Sequence, residues 1–204
     1  LEIMLELSEH FPNLKYLDMG SGFKIPYQET DMETDVKALG KKVEKAISEF
    51  SKETGKKFEL WFEPGKFLVG KSGYLLVKAN VIKQTTATVF VGVNSGFNHL
   101  IRPMFYDSYH TIENLSNPKG AERIYTVVGN ICETDTFAWD RKLNEVREGD
   151  VLAFHTAGAY GFEMSTNFNS RLKPAEVLFL DGKAHLIRKR DEFEDLLRNQ
   201  IEVL

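Results

Sequence analysis

The stretch Tyr16-Leu-Asp-Met-Gly-Ser-Gly22 opens as a short apolar strand and closes on two glycines around a serine. Upstream, Met4, Leu7 and Phe11 share one face of a helix that stops at Pro12. Downstream, Val36, Leu39, Val43, Ile47 and Phe50 recur at helical spacing, with Gly55 placed to end that helix. A second strand, Phe58-Glu-Leu-Trp-Phe62, then runs into Glu63-Pro-Gly65. Helix, strand, helix, strand, with glycine-bearing loops at the strand C-termini, is the order of a parallel α/β sheet or barrel.

After Phe67 the order changes. Residues 73–83, 86–93, 123–128, 150–155 and 175–180 are rich in β-branched and aromatic side chains and read as strands. Asp181-Gly182 suits a two-residue hairpin turn, closed by His185-Leu-Ile187. Helical periodicity returns only over 193–201. The expected fold is α/β plus β: the end of an α/β barrel over residues 1–71, then an antiparallel β domain with a terminal helix over residues 72–204.

Of the 204 residues 42% are hydrophobic and 27% charged, with a formal net charge of -4, which describes an ordinary globular chain. The mild acidity argues against a nucleic-acid binder, since phosphate contacts need a basic face and no Lys/Arg cluster stands out. Arg188-Lys-Arg190 reads as a solvated strand end. No apolar run approaches the roughly 20 residues that cross a bilayer, and Glu2 and Glu6 interrupt the only stretch that could begin a signal peptide. One cysteine forms no internal disulfide, which points to a reducing, cytoplasmic compartment. The five histidines show no metal-ligand spacing, so no metal is expected.

Several short motifs carry chemistry. Glycines at Gly20-Ser21-Gly22 let backbone N–H groups approach a phosphate, although an ordinary turn reads the same way. Glu63, held by Pro64 and Gly65, suits a cationic ring nitrogen, and Lys66 suits an anion; two solvated charges on a surface turn are the plain alternative. Arg102 and Tyr106 stand four residues apart, a guanidinium fork and a hydroxyl fit for a carboxylate or phosphate, or else a surface ion pair. Cys132-Glu133 pairs a thiol that can give a proton or attack as a thiolate with a carboxylate that can bind an amine or shuttle a proton. A lone cysteine in an apolar strand is more often inert. Small residues around Tyr160, in Ala157-Gly-Ala-Tyr-Gly161, suggest that something packs closely against its ring or hydroxyl, with a plain loop as the alternative.

Taken in order and spacing, Leu17-Asp-Met-Gly-Ser-Gly22, Glu63-Pro-Gly65, Leu100-Ile-Arg-Pro103, Ile131-Cys-Glu133, Asp150 with Ala157-Gly-Ala-Tyr160, and Asn169-Ser-Arg171 with Pro174-Ala-Glu176 closely resemble the C-terminal half of the diaminopimelate decarboxylases. These belong to the pyridoxal-phosphate decarboxylases built on an alanine-racemase-like barrel and a β domain. The resemblance covers essentially the whole chain. It implies decarboxylation of meso-2,6-diaminopimelate to L-lysine, the last step of lysine biosynthesis, with pyridoxal 5'-phosphate as cofactor. Gly20, Ser21 and Gly22 would hold the cofactor phosphate, and Glu63, in the turn with Pro64 and Gly65, would pair with the pyridine nitrogen. Lys66, Arg102 and Tyr106 would bind the distal carboxylate of the substrate or the phosphate. Tyr160 would touch cofactor and substrate. Cys132 would be the catalytic proton donor and Glu133 would grip the distal ammonium, both reaching the partner's site in a homodimer.

Four positions depart from the family's usual pattern. Ser21 replaces a glycine, acceptable while its φ stays negative; Lys66 replaces an arginine and loses the bidentate fork. Asn94-Ser-Gly96 stands for Asp-Ala-Gly, and Asn167-Phe-Asn169 for Asn-Tyr-Asn. The family's Schiff-base lysine and a histidine that stacks on the cofactor lie upstream of Leu1. The chain is therefore expected to be a C-terminal fragment without activity alone. Two other readings stay open: a sister decarboxylase acting on ornithine, arginine, lysine or a carboxylated polyamine, which Asp107 beside Tyr106 would favour, and a non-catalytic homologue serving as a dimerisation subunit.

Overall fold

The computed structural model describes residues 1–203, and the chain falls into two compact units, Leu1–Lys71 and Ser72–Leu204.

The first unit runs α1 (Glu2–Ser8), β1 (Tyr16–Asp18), α2 (Val36–Thr54), β2 (Glu59–Trp61) and α3 (Gly65–Val69). β1 and β2 pair in parallel with Leu17 opposite Leu60, as the alternating order of elements requires. α2 is bounded by local chemistry. The Asp35 carboxylate accepts the N–H groups of Lys37 and Ala38 at 3.0 and 2.9 Å, and Gly55 closes the other end in the left-handed region at φ 74°. Its apolar stripe Leu39, Val43, Ile47 and Phe50 is half-buried. α1 is shorter than its periodicity implies. It stops at Ser8, because Lys56 Nζ takes the carbonyls of Ser8 and Glu9 at 2.7 and 2.8 Å, and Leu5 rather than Leu7 or Phe11 is the buried side chain.

The second unit is built on six strands: β3 (Leu75–Gln84), β4 (Val89–Val93), β5 (Ile112–Asn114), β6 (Glu122–Val128), β7 (Thr136–Asn144) and β8 (Val151–Phe154). Their order in the sheet is β5-β8-β3-β4-β6-β7. The sheet is mixed and not wholly antiparallel: β4 and β6 run parallel, with Val91 opposite Val127. A parallel pair needs a crossover, and residues 94–121, which include the short helix α4 (Arg102–Tyr106) and β5, supply it. The edge strands β5 and β7 approach each other, so the sheet is nearly closed. Inside lie Val77, Val91, Leu100, Tyr125, Val127, Leu152 and Phe154.

Two strands are absent from the sequence reading. β5 is only three residues long. In β7 the alternation is broken at Asp140, whose φ of 46° accompanies shifts of register against β6. The hairpin of β9 (Glu176–Leu180) and β10 (Lys183–Arg188) forms as expected, with Asp181 and Gly182 both at positive φ, 50° and 73°. α5 (Phe193–Leu197) is shorter than 193–201 and starts on a capping box between Glu192 and Asp195.

Candidate functional site

In the first unit the loops after β1 and β2 are laced together. Met19 N–H donates to Trp61 O at 2.9 Å, and Glu63 N–H donates to Gly20 O at 2.7 Å. Gly20 and Gly22 sit at φ 64° and 102°, conformations that a side chain would strain, whereas Ser21 between them does not require positive φ. The substitution of serine for glycine there is thus accommodated. A Cβ on Gly20 would lie 4.0 Å from Glu63 Oε2, so the carboxylate stands beside the glycine loop. Gly20 N–H is held by Asp18 Oδ1 at 2.8 Å, while the amides of Ser21 and Gly22 have no acceptor among the described residues. Two undirected amides beside a carboxylate fit a phosphate and a protonated ring nitrogen. Pro64 heads α3, and Gly65 N–H returns to Glu63 O at 2.9 Å. Lys66 Nζ lies 6.0 Å from the Tyr27 ring centre. A recess of about 250 Å³ also borders Ser21 and Gly22, but Leu39, Val43 and Phe62 wall it. It is too apolar for a phosphate.

The second unit brings three of the expected residues together. Arg102 opens α4, and its guanidinium lies 5.9 Å from the Tyr106 ring and 5.7 Å from the Tyr160 ring. Arg102 Nη2 donates to Ser108 Oγ at 3.3 Å. The two rings are 54% and 44% exposed, so the guanidinium is flanked by hydroxyl-bearing rings open to a ligand. Behind it, His110 is 1% exposed and its Nδ1–H donates to His155 O at 2.8 Å. Burial above all, then the cations Arg102 and Arg141, push its pKa down to about 4, which keeps the ring neutral near pH 7.

The glycines around Tyr160 sit where the backbone folds tightly on itself. A Cβ on Gly73 would overlap the backbone of Gly158, and one on Gly161 would overlap the carbonyl of Ala157. They let the 157–161 loop press on its own backbone, where Ala157 N–H donates to Gly73 O at 2.8 Å. Tyr160 is thereby held at φ 56° with its N–H on the Glu163 carboxylate.

Cys132 and Glu133 occupy an exposed loop between β6 and β7, not an apolar strand. Asn169 Nδ2 donates to Cys132 Sγ at 3.4 Å. Asn169 and Ser170 both have positive φ, at 56° and 55°, a conformation that asparagine tolerates well. Arg171 Nη2 reaches Asn130 O at 3.4 Å. His99 joins the supporting loops. Its Nε2–H donates to Leu172 O at 3.1 Å, which leaves Nδ1 to accept Ser95 O–H at 3.0 Å. Asn167 closes its own loop on Arg171 O and Asp191, and Asp150 holds the turn before β8. Both are structural.

Sequence reasoning missed Asp135, whose buried carboxylate accepts the amides of Phe97 and Ile131 under the cysteine loop. An acid three residues after a cysteine gives no signal of its own. No group of three or more His, Cys, Asp or Glu side chains able to hold a metal occurs among the described residues, and no described helix is long and apolar enough to cross a membrane.

A family model for the C-terminal sheet domain of pyridoxal-dependent decarboxylases matches residues 24–158. The chain is 42% identical over 190 residues to a diaminopimelate decarboxylase of Methanothermobacter thermautotrophicus, covering 91% of this chain and 44% of that protein. It is 38% identical over 205 residues to the diaminopimelate decarboxylase of Escherichia coli K12, covering 94% and 49%. The crystal structure of diaminopimelate decarboxylase from Methanocaldococcus jannaschii in complex with L-lysine superposes with a TM-score of 0.90 at 33% identity, over 99% of this chain and 46% of that one. The chain thus spans about half the length of the relatives it matches. Since that family model matches about two thirds of its residues, the chain belongs to the pyridoxal-dependent decarboxylases.

Proposed function

We propose that this chain is the C-terminal half of a pyridoxal-phosphate enzyme that decarboxylates meso-2,6-diaminopimelate to L-lysine. Residues 1–71 are read as the end of the cofactor-binding barrel and residues 72–204 as the β domain with its terminal helix. The observation that carries the substrate is a pair of complementary groups. Arg102 is a half-buried guanidinium framed by two phenols, suited to a carboxylate, and Glu133 is an exposed carboxylate suited to an ammonium. Diaminopimelate carries both at its far end.

Pyridoxal phosphate, when bound, supplies an electron sink for the pair left on the α-carbon as carbon dioxide departs. In the first unit Ser21 and Gly22 offer their amides to its phosphate, Gly20 gives the loop its turn, and Glu63 pairs with the protonated ring nitrogen. Lys66 adds a single-point cation for phosphate or carboxylate. In the second unit Arg102 and Tyr106 hold the distal carboxylate and Tyr160 borders the reacting end. One C–C bond breaks, carbon dioxide leaves, and the proton on Cys132 Sγ takes its place at the α-carbon. Glu133 fixes the distal ammonium, which selects the substrate.

The exposure of Cys132 and Glu133 on a loop between β6 and β7 supports a homodimer in which this pair serves the partner's site. The unpaired cysteine supports a cytoplasmic enzyme. Asp107, exposed at the end of α4 beside Ser108, is the one feature that favours a purely cationic substrate tail instead.

The test is carbon dioxide release by the whole open reading frame that contains this segment, with pyridoxal phosphate. Diaminopimelate, ornithine, arginine and lysine are compared at equal concentration. Preferred turnover of diaminopimelate, cut to a residual rate in Cys132→Ala, is the expected result. Turnover of a basic amino acid would move the specificity argument to Asp107, and turnover of none would revive the non-catalytic homologue. Residues 1–204 alone should release none.

A further inference from the structure

The loop that presents Cys132 and Glu133 is anchored on one buried carboxylate. Asp135 is 5% exposed. Its Oδ1 accepts Phe97 N–H at 2.8 Å, its Oδ2 accepts Ile131 N–H at 3.0 Å, and its main-chain carbonyl accepts Gly129 N–H at 2.7 Å. One residue therefore ties the residue just before the cysteine, the first residue of the loop, and the neighbouring 94–100 segment. Two glycines make room for it. A Cβ on Gly96 would stand 2.6 Å from Asp135 Oδ2, and one on Gly129 would overlap the carboxylate outright. Ile131 is buried, with 7% of its surface exposed, while Cys132, Glu133 and Thr134 are exposed, so the loop changes from anchored to presented across a single peptide.

This arrangement carries a cost. Among the described residues no Lys or Arg pairs with Asp135, and burial raises its pKa against the lowering effect of the two amides. An asparagine would avoid burying a charge, but its side-chain oxygen is the only acceptor it has. Two amides pointing at two separate oxygens need a carboxylate.

We propose that Asp135 is a positioning residue, one that sets where Cys132 and Glu133 stand by holding the Ile131 and Phe97 amides together. The proposal rests on the decarboxylase reading for the roles of Cys132 and Glu133, and on the geometry alone for the anchoring.

The test uses the full-length enzyme and the substitutions Asp135→Asn and Gly96→Ala. Asn keeps one acceptor of two, and the added Cβ crowds the carboxylate without altering it. Both should lower kcat by about tenfold or more, the scale of a misplaced reacting group. Cofactor content should be unchanged. In the Cys132→Ala, Glu133→Gln double background, read on its residual turnover, the loss of kcat caused by Asp135→Asn should shrink to below about twofold, because residues acting through one step are not additive. A purely structural role would give the same fold-loss in both backgrounds, and that result overturns the proposal. So does an unchanged kcat in both variants.

If the parent enzyme decarboxylates another amino acid, the decarboxylase reading of the substrate fails and the same cycle is run on the amino acid it accepts. If it decarboxylates none, the alkylation rate of Cys132 by iodoacetamide, read on its own peptide, decides. A change of about threefold or more in either variant supports the anchoring. An unchanged rate in both overturns it.

Discussion

In the second unit the inside of the sheet is sealed: Val91, Val127, Leu152 and Phe154 are all fully buried. In the first unit only Leu5, Leu17 and Ile25 are buried among the described apolar side chains, and each keeps 5–7% of its surface exposed, while Ile3, Leu7, Phe11, Trp61, Leu68 and Val69 are exposed. The difference follows from topology. Six strands in a nearly closed sheet cover their own interior, but two parallel strands of three residues leave both faces open, and parallel sheets are ordinarily covered on both. The second unit is held by burial. The first is held by local devices, such as the caps of α2 and the Lys56 contacts, and its uncovered apolar surface supports its reading as part of a larger barrel.

The largest effect that would break this comparison lies in the cores. Leu152→Ala or Phe154→Ala should cost about 3–5 kcal/mol through the cavity each leaves. Leu68→Ala, already exposed in the first unit, should cost less than about 0.5 kcal/mol. Denaturant midpoints of the chain read both, and equal losses would contradict the contrast.

Next in size is a pH effect confined to the second unit. The folded pKa of His110 is about 4 against an ordinary 6.5, so the folded state resists its protonation. The stabilisation is therefore complete above 6.5 and is lost as the pH falls through 6.5 toward 4, by on the order of 3 kcal/mol. Unfolding curves at pH 7 and 4.5 should show that loss, and His110→Gln should flatten it. A His110→Gln profile as steep as the parent's would remove His110 as the cause.

The smallest effect belongs to the first unit. Asp35→Ala removes the N-cap of α2 and should cost about 1 kcal/mol, read as faster amide exchange in its first turn. Unchanged exchange there would mean that packing, not the cap, holds the helix.

Much of this was legible in the sequence where the signal is local. The spacing of Val36 to Phe50 and the stop at Gly55 gave α2, and Asp181-Gly182 gave the last hairpin. Arg102 and Tyr106 fall four residues apart on one helical turn, which brings the ring beside the guanidinium. Non-local features were not legible. The parallel pairing of β4 with β6 depends on a crossover that no periodicity announces, and β7 hides behind the irregularity at Asp140. Small residues flanking Tyr160 look alike whether they make room for a ligand or for the chain's own backbone. Asp135 reads as one more surface acid until its two amide partners are seen.

The central claim is that one decarboxylase site draws on two separate clusters of the second unit, contributed by different copies of the enzyme. It is tested most directly by co-refolding full-length Arg102→Ala with full-length Cys132→Ala, each nearly inactive alone, and measuring carbon dioxide release from diaminopimelate. Random pairing makes half the dimers mixed, each with one intact site, so the account predicts recovery of about a quarter of the parent activity. A mixture no more active than its two components would contradict it, and would put both clusters to work within a single copy.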